Sequence, residues 1–348
     1  MPQPGSVRLS REEAARLWEE TDVFILGRMA HEMRLRLHPD RVVTYIVDRN
    51  INYTNICACG CRFCAFFRAP GQPGGYVLTR EELADKVRET EELGGYQILL
   101  QGGMNPDLGL PFYTGMLSFL KERFPGVAVH GFSPPEIVFL AAKENIPIAA
   151  LIAELKAAGL DSIPGGGAEI LVDEIRSRVS PNKCPAGQWL EVMEIAHGMG
   201  LRTTATMMFG VGETIGQRLQ HLDAVRSLQD RTGGFTAFIP WTYQPANTNL
   251  PAPELSSWEY LRFLALSRLY LDNVPNIQAS WVTQGPRIGQ VALFFGANDF
   301  GSTMIEENVV AAAGVSFRLP EKELRRLVRD AGFTPMRRNM DYSPRNPD

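Results

Sequence analysis

The sequence predicts an α/β protein built as a (βα)8-type, TIM-like barrel, with a helical segment before the barrel and a helix and tail after it. From residue 41 onward, short apolar β-rich runs alternate with amphipathic helical stretches. The alternation recurs every roughly thirty residues, the length of a parallel βαβ unit with a right-handed crossover. The span 42–315 has room for eight such units, and about 250 residues is typical of a closed barrel. Periodicity alone also allows a doubly wound open sheet, because it does not report whether the sheet edges meet.

The elements follow in order. Residues 1–40 form an N-terminal helical extension, in which 8–36 is helical and Ser10 with Glu13 makes a capping box. The barrel spans 41–315. Val42–Val47 reads as its first strand and leads into a cysteine loop. Thr79 opens a helix with Glu82 closing its capping box, and Gly94–Gly95 stop it. Gln97–Leu100, Val127–His130, Ser162–Ile163, Thr204–Phe209, Phe235–Trp241 and Ile277–Val282 read as the next strands. A last apolar run, Val291–Phe295, precedes GANDFGSTMIEEN, and residues 316–348 hold a final helix and a Pro/Arg-rich tail.

Composition bounds the function. Of 348 residues, 45% are hydrophobic and 21% charged, enough apolar surface for a folded core. A net charge of −4 without a lysine-rich run argues against a nucleic-acid partner. No run of about eighteen apolar residues suggests a membrane span, and MPQPGSVRLSREEAARLWEE lacks the order of a secretory signal. The expected location is the cytoplasm. Four of the five cysteines lie between 57 and 64, which in a reducing compartment points to metal binding rather than disulfides.

The chemistry centres on NYTNICACGCRFCAFFR. Cys57, Cys61 and Cys64 are spaced C-x₃-C-x₂-C, and Phe63 precedes the third. Such a loop can wrap three thiolates around one face of a cubane cluster, whereas ferredoxin-type clusters take a fourth cysteine. A closed zinc site is the alternative, with Cys59, His130 or Cys184 as the fourth ligand. A partner-binding metal-cluster protein without catalysis, and a barrel enzyme of other chemistry with structural cysteines, are further alternatives.

Glycine-rich and polar segments recur at other strand ends. Gln101-Gly102-Gly103, Pro164 to Glu169 (PGGGAE) and Met208 to Glu213 (MFGVGE) follow the second, fourth and fifth strands. Arg176 and Arg178 lie one or two helical turns past Glu169; His130 and Ser133 end the third strand; Gln244, Asn298 and Asp299 lie near later ones. Each has a plainer reading: a tight turn at QGG, an acidic helix N-terminus at Glu169, a structural histidine at His130. MFGVGE is no P-loop, since no Gly-Lys-Ser/Thr follows.

The C-x₃-C-x₂-C loop after the first strand resembles the signature of the radical S-adenosylmethionine superfamily. The resemblance implies a [4Fe–4S] cluster on Cys57, Cys61 and Cys64 whose open iron chelates S-adenosylmethionine and yields a 5′-deoxyadenosyl radical. By the same resemblance Gln101, Gly102, Gly103, Glu169 and Arg178 contact the cofactor, with Ser133 added from its place at a strand end; the catalytic residue is unknown, and His130, Glu169, Glu213 and Asp299 are candidates from their strand-end positions. The sequence departs from the family at Met104, where glutamate is usual, and in the MFGVGE segment.

Across most of the chain, TNICACGCRFCAFFR, LGGYQILLQGGMNPDL, PGGGAEIL, FIPWTYQPANT and ASWVTQGPRIGQVALFFGANDFGSTMIEENVV resemble the futalosine-pathway enzymes of menaquinone biosynthesis. The last two segments are similar to the dehypoxanthine futalosine cyclases; the sibling aminofutalosine synthases differ at FIPWTYQP. The resemblance implies dehypoxanthine futalosine as small-molecule substrate, hydrogen abstraction at its ribose 4′ position, and ring closure onto its benzoate. It also implies an electron donor such as a flavodoxin or ferredoxin. Arg68 and Arg287 are the conceivable clamps for the benzoate carboxylate.

Overall fold

The computed structural model describes residues 8–315 and 317–345. Helices Arg11–Glu20 and Val23–Leu37 precede β1 (Val42–Ile46), and the second packs against helix Ser257–Tyr270. The predicted Ser10–Glu13 capping box is present, and Asp22 caps the second helix by accepting the Phe24 N–H at 2.8 Å. Seven parallel strands then form one sheet in chain order: β2 (Asp48–Asn52), β3 (Gln97–Gln101), β4 (Ala128–Gly131), β5 (Ser162–Ile163), β6 (Arg202–Phe209), β7 (Phe235–Thr242) and β8 (Asn276–Ile277).

The stretch following β8 closes this sheet. On one side Asn298 N–H donates to Ile277 O at 3.1 Å and Asp299 O accepts from Ala279 N–H at 2.9 Å. On the other, Thr303 N–H donates to Ile46 O at 2.9 Å and Ile305 N–H to Asp48 O at 3.2 Å. Both sheet edges are thereby satisfied, so the closed barrel is realised rather than the open sheet. The strand in this stretch is β9 (Asp299–Ser302), which pairs with β1.

Three elements differ from the sequence expectation. The expected first strand breaks at Val47, and the segment pairing with β3 is β2, the polar stretch DRNIN, all five residues of which are buried. Ile277–Val282 is strand only to Ile277, and Trp281 begins a short helix. The apolar run Val291–Phe295 is not a strand. Pro286, at the first helical position after Gly285 (φ 83°), starts helix Pro286–Ala292 there, and short apolar runs suit buried helix and strand equally.

Alternation along the strands sets which side chains face the helices. Ile98 and Leu100 of β3 are fully buried in the outer core with Val87 and Leu117, while Gln97, Leu99 and Gln101 face the lumen. At the strand-start end of the barrel the C-terminal segment folds back: β10 (Thr334–Arg337) pairs with β1, and Arg338 forks onto Asp299 at 2.6 and 3.1 Å. The Arg338 guanidinium stacks on Tyr342, 3.8 Å from the ring centroid, and Met340 and Tyr342 line the lumen. This segment plugs the base of the barrel.

The fold also buries neutral histidines. His221 accepts the Leu171 N–H at 3.0 Å, and burial, helped by the charge of Arg176, pushes its pKa down to about 3. A histidine with a folded pKa below its unfolded value stabilises the fold above the unfolded pKa and loses that contribution as pH falls. The stability advantage of wild type over His221→Gln should therefore be largest at pH 7 and shrink by about 1.5–2 kcal/mol by pH 5. Denaturant unfolding of both proteins at the two pH values measures this; a constant difference would contradict it.

Candidate functional site

Beyond β2 the chain crosses the strand-end mouth of the barrel as the cysteine loop, pinned on three sides. Cys57 N–H donates to Arg68 O at 2.9 Å, which closes the loop on itself. Ala58 N–H donates to Met104 O at 2.9 Å, joining it to the segment after β3. Arg62 N–H donates to Val179 O, and the Asn182 amide to Cys59 O, both at 2.9 Å. The Cys57 sulfur accepts two backbone N–H groups, from Met104 at 3.3 Å and Cys59 at 3.4 Å. Cys59 and Cys61 are buried with sulfurs 3.3 Å apart, while Cys57 and Cys64 are half-buried.

Burial raises the pKa of Cys57 and Cys64, and the contact with Cys59, followed by burial, raises that of Cys61 further. The nearby cation is Lys183. Burial opposes its charge, but Cys61, Glu169 and Cys59 outweigh that and raise its pKa. Its ammonium lies 5.1 Å from the Phe63 ring centroid. Among the described residues no three His, Cys, Asp or Glu side chains gather around a point that would hold one metal ion. His130 instead bonds Ser162 Oγ at 2.5 Å within the lumen.

Beneath the loop lies a buried carboxylate, Glu136. One of its oxygens accepts from Tyr53 OH at 2.6 Å and Gly102 N–H at 3.0 Å; the other accepts from Ser133 N–H at 2.7 Å and Ser133 OH at 2.6 Å. It thus ties together the start of the cysteine loop and the ends of β3 and β4. The Gly-Gly pair is required by this packing: a Cβ on Gly102 would lie 2.4 Å from the Tyr53 ring, and one on Gly103 2.1 Å from Ile56 O. Sequence reasoning missed Glu136, although Ser133-Pro-Pro-Glu136 is a capping-box pattern.

Across the mouth, the PGGGAE segment follows β5. A Cβ on Gly165 would meet Thr204 O and Thr206 N at 2.7 Å, and one on Gly166 would lie 2.5 Å from the Gln101 amide. Glu169 adopts φ 42°, a left-handed conformation costly for a residue with a Cβ. One of its oxygens pairs with Lys183 at 2.6 Å; the other is buried without a hydrogen-bond partner, and Arg176 approaches it only to 3.8 Å.

A cavity of about 300 Å³ runs down the barrel from Gln101, Gly166 and Glu169 at the mouth to Gln97, Arg338 and Tyr342 at the base. His130 lines it, and burial, with the charge of Arg338, pushes its pKa down to about 3, so the imidazole is neutral at neutral pH. The structure brings Gln101, Glu169 and His130 to this cavity and sets Ser133 beside Gly166. Other sequence candidates lie elsewhere. Arg176 donates to the carbonyls of Gly167, Ala168 and Cys184, and the exposed Arg178 to Val211 O. Glu213, its side chain buried, accepts Gly210 N–H, Val211 N–H and Arg218 in a local brace. Asp299 pairs with Arg338 and accepts Thr44 OH at 2.6 Å. Gln244 turns back on Thr242, and Arg68 and Arg287 are exposed outside the cavity. The arginine that does line the cavity, Arg338, lies in the tail.

Comparison with known proteins places this geometry. The radical SAM superfamily profile matches residues 51–225, and that of the CofH/MqnC C-terminal region matches 232–348. The chain is 47% identical to the cyclic dehypoxanthine futalosine synthase of Halalkalibacterium halodurans, over 96% of this chain and 91% of that protein. It is 42% identical to the synthase of the same name from Streptomyces coelicolor, over 96% and 85%, and 39% identical to the aminodeoxyfutalosine synthase of Thermus thermophilus, over 96% and 92%. Its fold resembles crystalline methylornithine synthase, with a TM-score of 0.73 at 18% identity over 95% of each chain. Closed barrel, cysteine loop and sequence relationship agree, and the chain belongs to the radical SAM superfamily, whose members use a [4Fe–4S] cluster and S-adenosylmethionine.

Proposed function

We propose that this enzyme converts dehypoxanthine futalosine into its cyclic form, the step in menaquinone biosynthesis for which the two most similar relatives reported above are named. The observation that carries this reading is identity of 47% and 42% to those synthases along 96% of the chain, against 39% to the aminodeoxyfutalosine synthase. Reduction comes from a flavodoxin- or ferredoxin-type donor in the cytoplasm; no helix among the described residues is long and apolar enough to cross a membrane.

The mouth fits the cofactors. Cys57, Cys61 and Cys64 would hold the cluster: they share one pinned loop, two N–H groups already point at the Cys57 sulfur, and Lys183 supplies a counter-charge. The unpaired Glu169 oxygen, an acceptor without a donor, suits an amino or hydroxyl group of S-adenosylmethionine, and Gln101 and Ser133 stand beside Gly166 of the same segment. When bound, cluster and cofactor supply a 5′-deoxyadenosyl radical. The chain's own part is to enclose the substrate in the lumen away from water and fix its ribose and ring in reactive register. To His130, which lines the lumen with Nδ1 engaged by Ser162, we assign the proton released when the ring radical gives up one electron and one proton to regain aromaticity.

Two experiments test this. Cys57→Ala, Cys61→Ala and Cys64→Ala should each lose iron and sulfide after anaerobic reconstitution, whereas Cys59→Ala should keep them. Gly103→Ala should also lose iron, because its Cβ would displace the loop backbone at Ile56. Retained iron in Cys61→Ala, or lost iron in Cys59→Ala, would show the ligands to be misassigned. For the reaction, anaerobic incubation with dehypoxanthine futalosine, S-adenosylmethionine and reductant should give 5′-deoxyadenosine and a product lighter than substrate by two hydrogens. Product formed only from an enol-ether benzoate, with adenosine attached, would instead identify an aminodeoxyfutalosine synthase.

A further inference from the structure

The most unusual part of the lumen is a polar strand where a barrel interior ordinarily carries branched apolar residues. Asp48, Asn50 and Asn52 of β2 are each 5% exposed. In the parallel register Asp48 lies beside Gln97 and Asn50 beside Leu99, and the pleat turns Asp48, Asn50, Gln97 and Leu99 into the cavity. Polar groups so deeply buried are costly unless something bonds them.

Two of them are half-bonded. The Asn50 amide nitrogen donates to Glu307 Oε2 at 2.8 Å, and the Gln97 amide nitrogen donates to Asp48 Oδ2 at 2.9 Å. A carboxylate only accepts, so these partners fix both amides with nitrogen toward the acid and oxygen away from it. The two freed oxygens, Asn50 Oδ1 and Gln97 Oε1, are buried and have no hydrogen-bond partner among the described residues. Glu307 is itself held by the N–H groups of Val309 and Val310, at 2.7 and 2.9 Å, and Asp48 by Ser302 and Gln97. The amides are therefore presented rigidly.

Unpaired acceptors call for a ligand with donors. Around this wall stand the carboxyl groups of Asp48, Glu307 and Asp299 against the single guanidinium of Arg338, already forked onto Asp299. Among the described residues this wall therefore offers no free cation to an anion, and it suits neutral hydroxyl donors. Resting on the reading under Proposed function, we infer that Asn50 and Gln97 form a hydroxyl-accepting subsite that binds the ribose diol of the substrate, with the benzoate carboxylate directed away from this wall. Asn50 and Gln97 lie diagonally on adjacent strands, a backbone separation of about 7–8 Å that one sugar can bridge. The subsite would turn the ribose within the lumen and select a nucleoside-like substrate over one without a sugar.

The test is a coupling cycle read by binding, independent of turnover. Anaerobic calorimetry on the reconstituted enzyme measures Kd for dehypoxanthine futalosine and its 2′-deoxy and 3′-deoxy analogues, with wild type, Asn50→Ala and Gln97→Ala. Iron content and melting temperature check that each variant is folded. Wild type should bind at least one deoxy analogue about ten- to a hundredfold more weakly than the full substrate. The variant facing the missing hydroxyl should bind the full substrate with a similar loss and show little further loss with that analogue. Equal wild-type affinity for all three ligands, which needs no variant, would overturn the subsite, as would multiplying losses in both variants. Cyclised product without this coupling would sink the subsite and spare the cyclase reading. Coupling without cyclised product would do the reverse, and absence of binding would remove both.

Discussion

The arrangement of the mouth depends on one buried carboxylate. Glu136 receives four hydrogen bonds from three separate segments, and those segments are the root of the cysteine loop, the end of β3 and the end of β4. Burial raises its pKa, and the donors from Ser133, Tyr53 and Gly102 work against that. Removing the acceptor would strand four donors in a dry site, a larger penalty than the loss of an ordinary hydrogen bond. Once Tyr53 and Gly102 are fixed to it, Gly103 can lie against Ile56, Met104 can present its N–H to the Cys57 sulfur, and the loop has one place to go.

Closure of the barrel supplies the second half of the design. The stretch 298–306 satisfies both sheet edges, and the tail carries Arg338 and Tyr342 into the base of the lumen. The site is thus graded along its axis. Sulfur, ammonium and the strained Glu169 stand at the mouth, a neutral imidazole in the wall, and unpaired amide oxygens toward the base. Left-handed backbone at Glu169 is the kind of local cost that persists where surrounding packing over-determines it, here through Lys183 and the Met208 N–H on its carbonyl.

Much of this was legible in the residues. The cysteine spacing, both early capping boxes and most strands could be read directly, because each rests on local chemistry with a fixed offset. β2 escaped because the sign of a strand is apolar alternation, and DRNIN has almost none; its burial comes from barrel closure, a tertiary fact. β9 escaped for the same reason, while Val291–Phe295 competed with it as the apolar decoy. Arg338 stayed hidden since nothing local says that a Pro/Arg-rich tail returns to the barrel. Arg68 and Arg287, chosen for nearness in sequence to the loop and late strands, stand outside the cavity. Glu136 was within reach through its capping box, but the box gives no hint that the same carboxylate also holds Tyr53 and Gly102.

The account turns on a ribose being held in this lumen so that its 4′ hydrogen is the one removed. Transfer of that hydrogen is the direct measurement. Dehypoxanthine futalosine deuterated at the ribose 4′ position is incubated anaerobically with reconstituted enzyme, S-adenosylmethionine and reductant, and the 5′-deoxyadenosine formed is analysed by mass spectrometry. The account predicts deuterium in 5′-deoxyadenosine and its loss from the cyclised product. Deuterium retained in the substrate skeleton while 5′-deoxyadenosine accumulates unlabelled would contradict it.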